Sequence, residues 1–312
     1  MCVSLMVGSN MMSFTDTWRY IIRPDGSAGA TVIQGHRIPR TVLAVVIGSA
    51  LGVAGALMQA LTRNPLADPG ILGVNAGSSL AVVVAVAVAG VASIWFYVWF
   101  AFLGAAAASV AVYVLGGLAR RSSTPARLAL AGVAVSMAVT SFVEFVSLSN
   151  QNVFNEFRFW AAGSLENRGY PVIGAVVGFI AVGLILAVAS GPALNALALG
   201  DDHGAALGVN IRRTRSTVML AVTLLAGAAT AAAGPIMFVG LGVPYLARWV
   251  CGPDQRWVIP FSALAAPAIL LTADILARVV VYPQEIQTGI VTALVGAPLF
   301  VAIVRRGQVE AL

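Results

Sequence analysis

Side chains able to do chemistry are scarce in this 312-residue chain, and none stands in a catalytic arrangement. There is no Gly-x-Ser-x-Gly, no His-Glu-x-x-His and no glycine-rich dinucleotide turn, so acyl transfer, zinc hydrolysis and hydride transfer have no seat. His36 and His203, with Cys2 and Cys251, are too few and too scattered for a metal cage or a disulfide framework. All 18 basic residues are arginine, which removes the P-loop lysine, the kinase lysine and Schiff-base chemistry. The acids inside apolar runs are Glu144 and Asp274, and neither has the partner carboxylate of an intramembrane aspartyl protease. Asp274 and Arg278 stand four residues apart on one helix face, the spacing of a mutual ion pair. Glu144 reads as a polar residue near the outer end of its helix facing a wet cavity, because lipid does not solvate a carboxylate.

Two irregular segments carry more information. Residues 62–70, Thr-Arg-Asn-Pro-Leu-Ala-Asp-Pro-Gly, place two prolines and two charges between apolar helices. Each proline removes a backbone donor and keeps the preceding residue out of the helical region, so this is a structured loop. Residues 195–213 form the longest polar connection. Their pattern predicts a short helix, a glycine, and a second short helix capped by Asp, a shape suited to a groove on a soluble partner.

The elements that position these segments follow from composition. With 59% hydrophobic and 10% charged residues and a mean hydropathy of +0.92, the chain is a polytopic membrane protein. A crossing of about 30 Å needs roughly 20 apolar residues. Such stretches fall at 41–61, 71–91, 94–118, 127–148, 171–190, 214–234, 236–250, 258–281 and 287–304. They are continuously apolar, which excludes barrel strands with alternating faces. Gly48-xxx-Gly52 and Gly73-xxx-Gly77 predict close helix approach. Alternate connections carry eleven arginines (Arg63, Arg120, Arg121, Arg127, Arg212, Arg213, Arg215, Arg248, Arg256, Arg305, Arg306) against seven on the other side. That bias puts the richer side and the C-terminus in the cytoplasm. A shift of 179 residues overlays Gly48–Pro65 on Gly227–Pro244, matching Gly48/Gly227, Gly55/Gly234, Met58/Met237 and Pro65/Pro244. An odd number of spans separates the copies, so they run in opposite directions, as in the inverted repeats of transporters.

The ordered set of motifs is specific: Arg37-Ile-Pro-Arg40 leading into Gly55-Ala-Leu-Met-Gln59, Arg63-Asn-Pro-Leu-Ala-Asp-Pro-Gly-Ile-Leu-Gly73, and Leu197–Val209. Phe238-Val-Gly-Leu241 with Pro244 and Arg248, Ala273–Arg278 and Gly296-Ala-Pro-Leu-Phe300 complete it. Over residues 34–305 the chain resembles the FecCD-type permeases of ABC importers for iron-siderophores, haem and cobalamin. Tyr245 and Gln287-Thr288 depart from the usual family residues without touching the fold.

The resemblance implies an all-α polytopic fold of the type II importer class, nine to ten transmembrane helices with inverted repeats, as one permease domain over 1–312. Residues 1–36 would be an N-terminal stub and outer segment with most of the family's first helix missing, and 195–213 the cytoplasmic coupling region. Arg37, Arg40 and Arg278 would receive carboxylates of a substrate-binding protein. Leu199, Gly200, Asp201, Asp202, Ala205, Leu207 and Gly208, with Arg212 and Arg213, would couple to the ATPase. Asn64, Pro65 and Leu66, facing Pro125 and Ala126, would form the cytoplasmic gate. The implied partners are a second permease (a like copy or a sister), two ATP-binding subunits, the binding protein and cell-membrane lipid, with no nucleic acid. This chain would bind no cofactor or metal and hydrolyse nothing, ATP being used by the partner subunit. Ferric siderophore is the expected cargo, with haem or cobalamin as the alternative. An ion-coupled secondary transporter is a more distant reading, for which Glu144 is the candidate ionisable group.

Overall fold

A computed structural model describes residues 1–8, 12–90, 93–117 and 125–305; Arg120, Arg121 and Arg306 lie outside the described residues. Every described element is helical, in the order α1 (Cys2–Met6), α2 (Phe14–Ile22), α3 (Ala28–Val32), α4 (Ile38–Thr62), α5 (Val74–Ala89), α6 (Ile94–Leu115), α7 (Pro125–Ser149), α8 (Gln151–Ala161), α9 (Tyr170–Ala198), α10 (Asp201–Ala206), α11 (Ile211–Ala233), α12 (Val239–Cys251), α13 (Gln255–Val279) and α14 (Thr288–Arg305). Each predicted apolar stretch therefore became a helix. Six are long and apolar enough to cross a bilayer: Ala28–Thr62, Trp95–Leu115, Ala126–Ser149, Tyr170–Ala198, Ile211–Ala233 and Gln255–Val279. The others are shorter; α12, with 13 residues, rises only about 20 Å.

The first crossing is longer than its apolar pattern. A π-helical turn, Ile33–Arg37, joins α3 to α4. Pro39, in the first turn of α4, brings no backbone donor, and the wider turn precedes it. At its other end α4 stops at Arg63, whose φ of 50° is left-handed, and the loop to α5 contains a 3₁₀ turn at Pro69–Leu72.

Backbone contacts fix the helix directions. Arg40 pairs with Asp274, the Ser49 hydroxyl donates to Ala263 O at 2.7 Å, and a Cβ on Gly52 would fall 2.7 Å from Ser262 O. Numbers rise on α4 as they fall on α13, so the two are antiparallel. Arg63, just past the end of α4, and Arg215, near the start of α11, hold the same carboxylate. Hence α11 runs against α4, as the sequence echo requires. The echo is local: Gly48–Ala54 and Gly227–Ala233 are helical in both copies, but Met58 stays in α4 while Met237 lies in the break after α11, and Pro65 is in a loop while Pro244 is inside α12. The copies diverge at Gly234, which ends α11 at φ 77° against the backbone of Trp160.

Small residues let these helices approach where lipid offers no hydrophobic incentive to pack. Gly48 and Gly52 both face α13, and Gly77 meets Gly104 of α6. Gly73 also faces Ala108 and Val112 of α6, but from the left-handed position that ends the 3₁₀ turn and precedes α5. The tightest approach is Gly55 on Gly240, where an added Cβ would stand 1.7 Å from the carbonyl oxygen. Gly55→Ala must push α12 off α4, at a cost of about 1–3 kcal/mol. A thermal unfolding midpoint in detergent below that of the parent is the expected result.

Candidate functional site

Polar side chains gather at the two ends of α4. At the Arg40 end, Asp274 is fully buried and accepts hydrogen bonds from Arg40 Nε (3.0 Å) and Nη2 (2.9 Å), from Arg278 Nη2 and from Thr288 Oγ1 (2.9 Å). Arg40 Nη1 also donates to Glu285 at 2.6 Å. The predicted i,i+4 pair of Asp274 and Arg278 is thus real, but it is one arm of a network joining α4, α13 and α14. Residues of the N-terminal segment close it: Arg278 Nη1 donates to Ser4 O and Val7 O, and Arg37 Nη1 to Leu5 O and Met6 O.

The three arginines converge on one cleft of ≈ 240 Å³, lined with them by His36, Glu166, Asn167 and Glu285. Arg37, Arg40 and Arg278 line this cleft from buried positions, exposing only 5%, 9% and 2% of their surface. A charge inside a helical bundle must be paired, and here the pairing partners come from the same chain. A second cleft of ≈ 210 Å³ shares His36, Arg40 and Asn167 and adds Arg168. Burial pulls the Arg168 guanidinium down to about 10, against the opposing influence of Glu166 and Tyr97.

At the Arg63 end the arrangement is looser. Asp201 accepts from Arg63 Nη2 at 2.5 Å and from Arg215 Nη2 at 2.6 Å. Asp201 and Asp202 occupy the first turn of α10 without capping it, so the Asp cap expected for this short helix is not formed; the long α11 that follows is capped by Asn210, whose side chain accepts from Arg213 N. Gly200, at φ 111°, turns the chain between α9 and α10. Around it Leu199 and Leu207 are each 65% exposed, and Asp202, Ala205, Gly208, Arg212 and Arg213 are exposed as well.

The 63–68 loop lies at this same end. Asn64 and Leu66 are exposed, Pro65 is half-buried, and Asn64 Oδ1 accepts from Leu66 N at 2.9 Å. Burial raises the Asp68 carboxyl above its usual range, opposed by the Gly70 N–H. Pro125 opens α7 and Ala126 is exposed beside it; further along, Gly132 of α7 seats on Ile71 O. Both predicted gate elements therefore belong to one end of the bundle.

Gln59 and Arg248 form a pair that sequence reasoning missed. Gln59 is fully buried, donates to Leu241 O at 3.1 Å and accepts from Arg248 Nη2, tying α4 to α12. The partners are 189 residues apart, beyond any local signal. A cavity of ≈ 360 Å³ between α12, α13 and α14 is apolar. Its hydroxyls, on Thr272 and Thr292, are committed to Ala268 O and Gly289 O, so no donor set for a chelate stands there. Among the described residues no three His, Cys, Asp or Glu side chains gather as metal ligands.

Comparison with known proteins decides the family. The FecCD transport family profile matches residues 1–306. The chain belongs to the FecCD transport family. It is 42% identical over 97% of its length to the ferric enterobactin transport system permease protein of Escherichia coli (strain K12), covering 91% of that protein. It is 38% identical to a siderophore transport system permease protein of Bacillus subtilis (strain 168), over 98% of this chain and 92% of the relative. The hemin transport system permease protein of Yersinia pestis is also 38% identical, over 97% and 91%. A metal-chelate type ABC transporter solved in an inward-facing conformation superposes with a TM-score of 0.86 at 26% identity, over 98% of this chain and 94% of that one. This FecCD chain is a multi-pass transport permease of the ABC importer class, similar to permeases of the iron-siderophore systems.

Asp274→Ala strands Arg40 and Arg278 in a buried site and should cost about 3–5 kcal/mol. Glu285→Ala, which removes a more exposed arm, should lower the detergent melting point less. Gly200→Ala forces an L side chain into a backbone region that costs about 1–3 kcal/mol, so limited proteolysis should cut first between α9 and α11.

Proposed function

We propose that this permease carries a ferric siderophore or a related metal chelate inward, on a cycle driven by separate ATP-binding subunits. The observation that carries the reading is the contrast between the two ends of α4. One end holds an arginine-lined cleft, and the other presents a short helix whose leucines stand clear of the bundle. An apolar knob flanked by Arg212 and Arg213 suits a groove on a soluble subunit, which makes Leu199–Gly208 the coupling element. The arginine excess on that side supports its placement in the cytoplasm, with the C-terminus there too, in the cell membrane.

Arg37, Arg40 and Arg278 then receive acidic residues of a substrate-binding protein, which must reach into the cleft past the carbonyls of Ser4–Val7. Charge-assisted pairs of this kind set register and encounter rate more than affinity. Asn64, Pro65 and Leu66, with Pro125 and Ala126, form the inner gate. The apolar helix α7 leaves most of its length uncovered, including Glu144. A carboxylate there is not solvated by lipid, which supports a position against the pathway or the second permease subunit, whether a like copy or a sister. Residues 1–312 act as one permease domain that binds no cofactor; ATP is used by its partner. Similarity to the enterobactin and siderophore permeases favours ferric siderophore over haem or cobalamin.

Reconstituted alone in liposomes, the chain should take up no ⁵⁵Fe-enterobactin, and adding the ATPase and binding protein with ATP should start uptake. Uptake by the lone permease would refute the ATP-driven reading. Arg37→Glu should abolish co-purification of the binding protein while the ATPase subunit still co-purifies, and docking in the parent should weaken as salt rises. An unchanged pull-down would remove Arg37 from the docking site.

A further inference from the structure

Asp201 has two neighbours that a coupling helix does not need for contact with a soluble partner. One carboxylate oxygen takes Arg63, the residue immediately after α4, and the other takes Arg215 of α11. The α10 backbone is held without them. Gly204 is buried against Leu197, Gly204 N bonds Gly200 O at 2.9 Å, and Val209 N bonds Gly204 O at 3.0 Å. The two ion pairs therefore connect α10 to something else, and Arg63 shows what that is.

Arg63 is left-handed at φ 50°, where the chain leaves the rigid α4. The residues after it form a self-bonded unit. Asn64 Oδ1 takes Leu66 N, Asn64 O takes Ala67 N at 3.1 Å, Asp68 Oδ1 takes Gly70 N at 2.7 Å, and Asp68 O takes Ile71 N at 3.0 Å. The bonds close two short turns, 64–67 and 68–71, of which the second is seated on Gly240 and Gly132, so the first turn is the part next to Arg63 that is free of such glycine contacts among the described residues. We infer that Asp201 is a positioning residue which, through its ion pair with Arg63, carries displacement of α10 directly into the 63–68 loop. This rests on the coupling and gate roles proposed above and names the link between them. A pull of α10 away from the bundle draws on the Arg63 side chain, and the loop pivots at the left-handed joint. Arg215 keeps the carboxylate aimed while this happens. The pair is half-exposed, 30% for Arg63 and 34% for Asp201, so it can rearrange within a cycle without stranding a buried charge.

The test uses the full complex of permease, ATPase and binding protein in nanodiscs. Cys2→Ser and Cys251→Ser remove native thiols, and Leu66→Cys reports on the loop through its rate of labelling by a bulky charged maleimide. In this parent the rate should differ between the nucleotide-free state and the ATP–vanadate state. Arg63→Gln should keep the ATPase subunit bound and hydrolysing ATP but lose that difference, and Asp201→Asn should lose the difference as well. Arg63→Lys keeps a cation beside Asp201 without disturbing Arg215 and should retain the difference; a merely structural role for Asp201 predicts no such split between the Gln and Lys variants. A difference that persists in both Arg63→Gln and Asp201→Asn overturns the inference, as does an Arg63→Lys variant that hydrolyses ATP without showing it. A parent whose labelling ignores nucleotide refutes instead the coupling role of Leu199–Gly208, and with it this link.

Discussion

The Asp274 carboxylate is the constraint on which the Arg40 end of the bundle depends. It is wholly buried, and an unpaired carboxylate in such a place would unfold the site or lose its charge. Two guanidiniums and a hydroxyl meet it, Arg278 from its own helix, Thr288 from the start of α14 and Arg40 from α4, 234 residues away. Once that contact forms, the register of α4 on α13 is set, and Gly48 and Gly52 come to lie opposite Pro267 and Ser262. Slipping either helix by one turn would part the ions and drive Cβ atoms into backbone. Charge and close packing thus select one alignment, where apolar surface against apolar surface would accept several.

The helices were legible in the sequence because each crossing demands its own continuous run of apolar residues, and punctuation by charge and proline marks the ends. The polar segments were legible as motifs: Arg37 with Arg40, the loop after Arg63 and the stretch around Gly200 stand at the two ends of α4. Their partners were not. Arg63 and Asp201 are 138 residues apart, Arg40 and Asp274 are 234 apart, and nothing in local pattern couples them. Burial was also invisible: an arginine in Arg-Ile-Pro-Arg looks like a surface residue until carbonyls from Ser4–Val7 close over it. The π turn before Pro39 was missed because its residues continue a helical pattern, and only the hydrogen-bond shift distinguishes it.

The two ends of α4 use the same device at different depths. Each has one carboxylate shared by two arginines, Arg40–Asp274–Arg278 at one end and Arg63–Asp201–Arg215 at the other. Asp274 is 0% exposed, and separating it from either arginine leaves a charge without water. Asp201 is 34% exposed, and water can replace an arginine as it leaves. The energetic difference is large: breaking a buried pair costs about 3–5 kcal/mol, and an exposed pair about 0–1 kcal/mol.

A permease that alternates access needs both kinds of joint. Were the two ends equally buried, the bundle would have no joint able to yield. Were they equally exposed, a push from below would be dissipated in loosening helices and would not reach the pathway. On the coupling role proposed for α10, the buried pairing at Asp274 and the more accessible one at Asp201 direct a force on α10 toward the left-handed joint at Arg63. The location of motion in this fold is therefore set by how much water each carboxylate can reach.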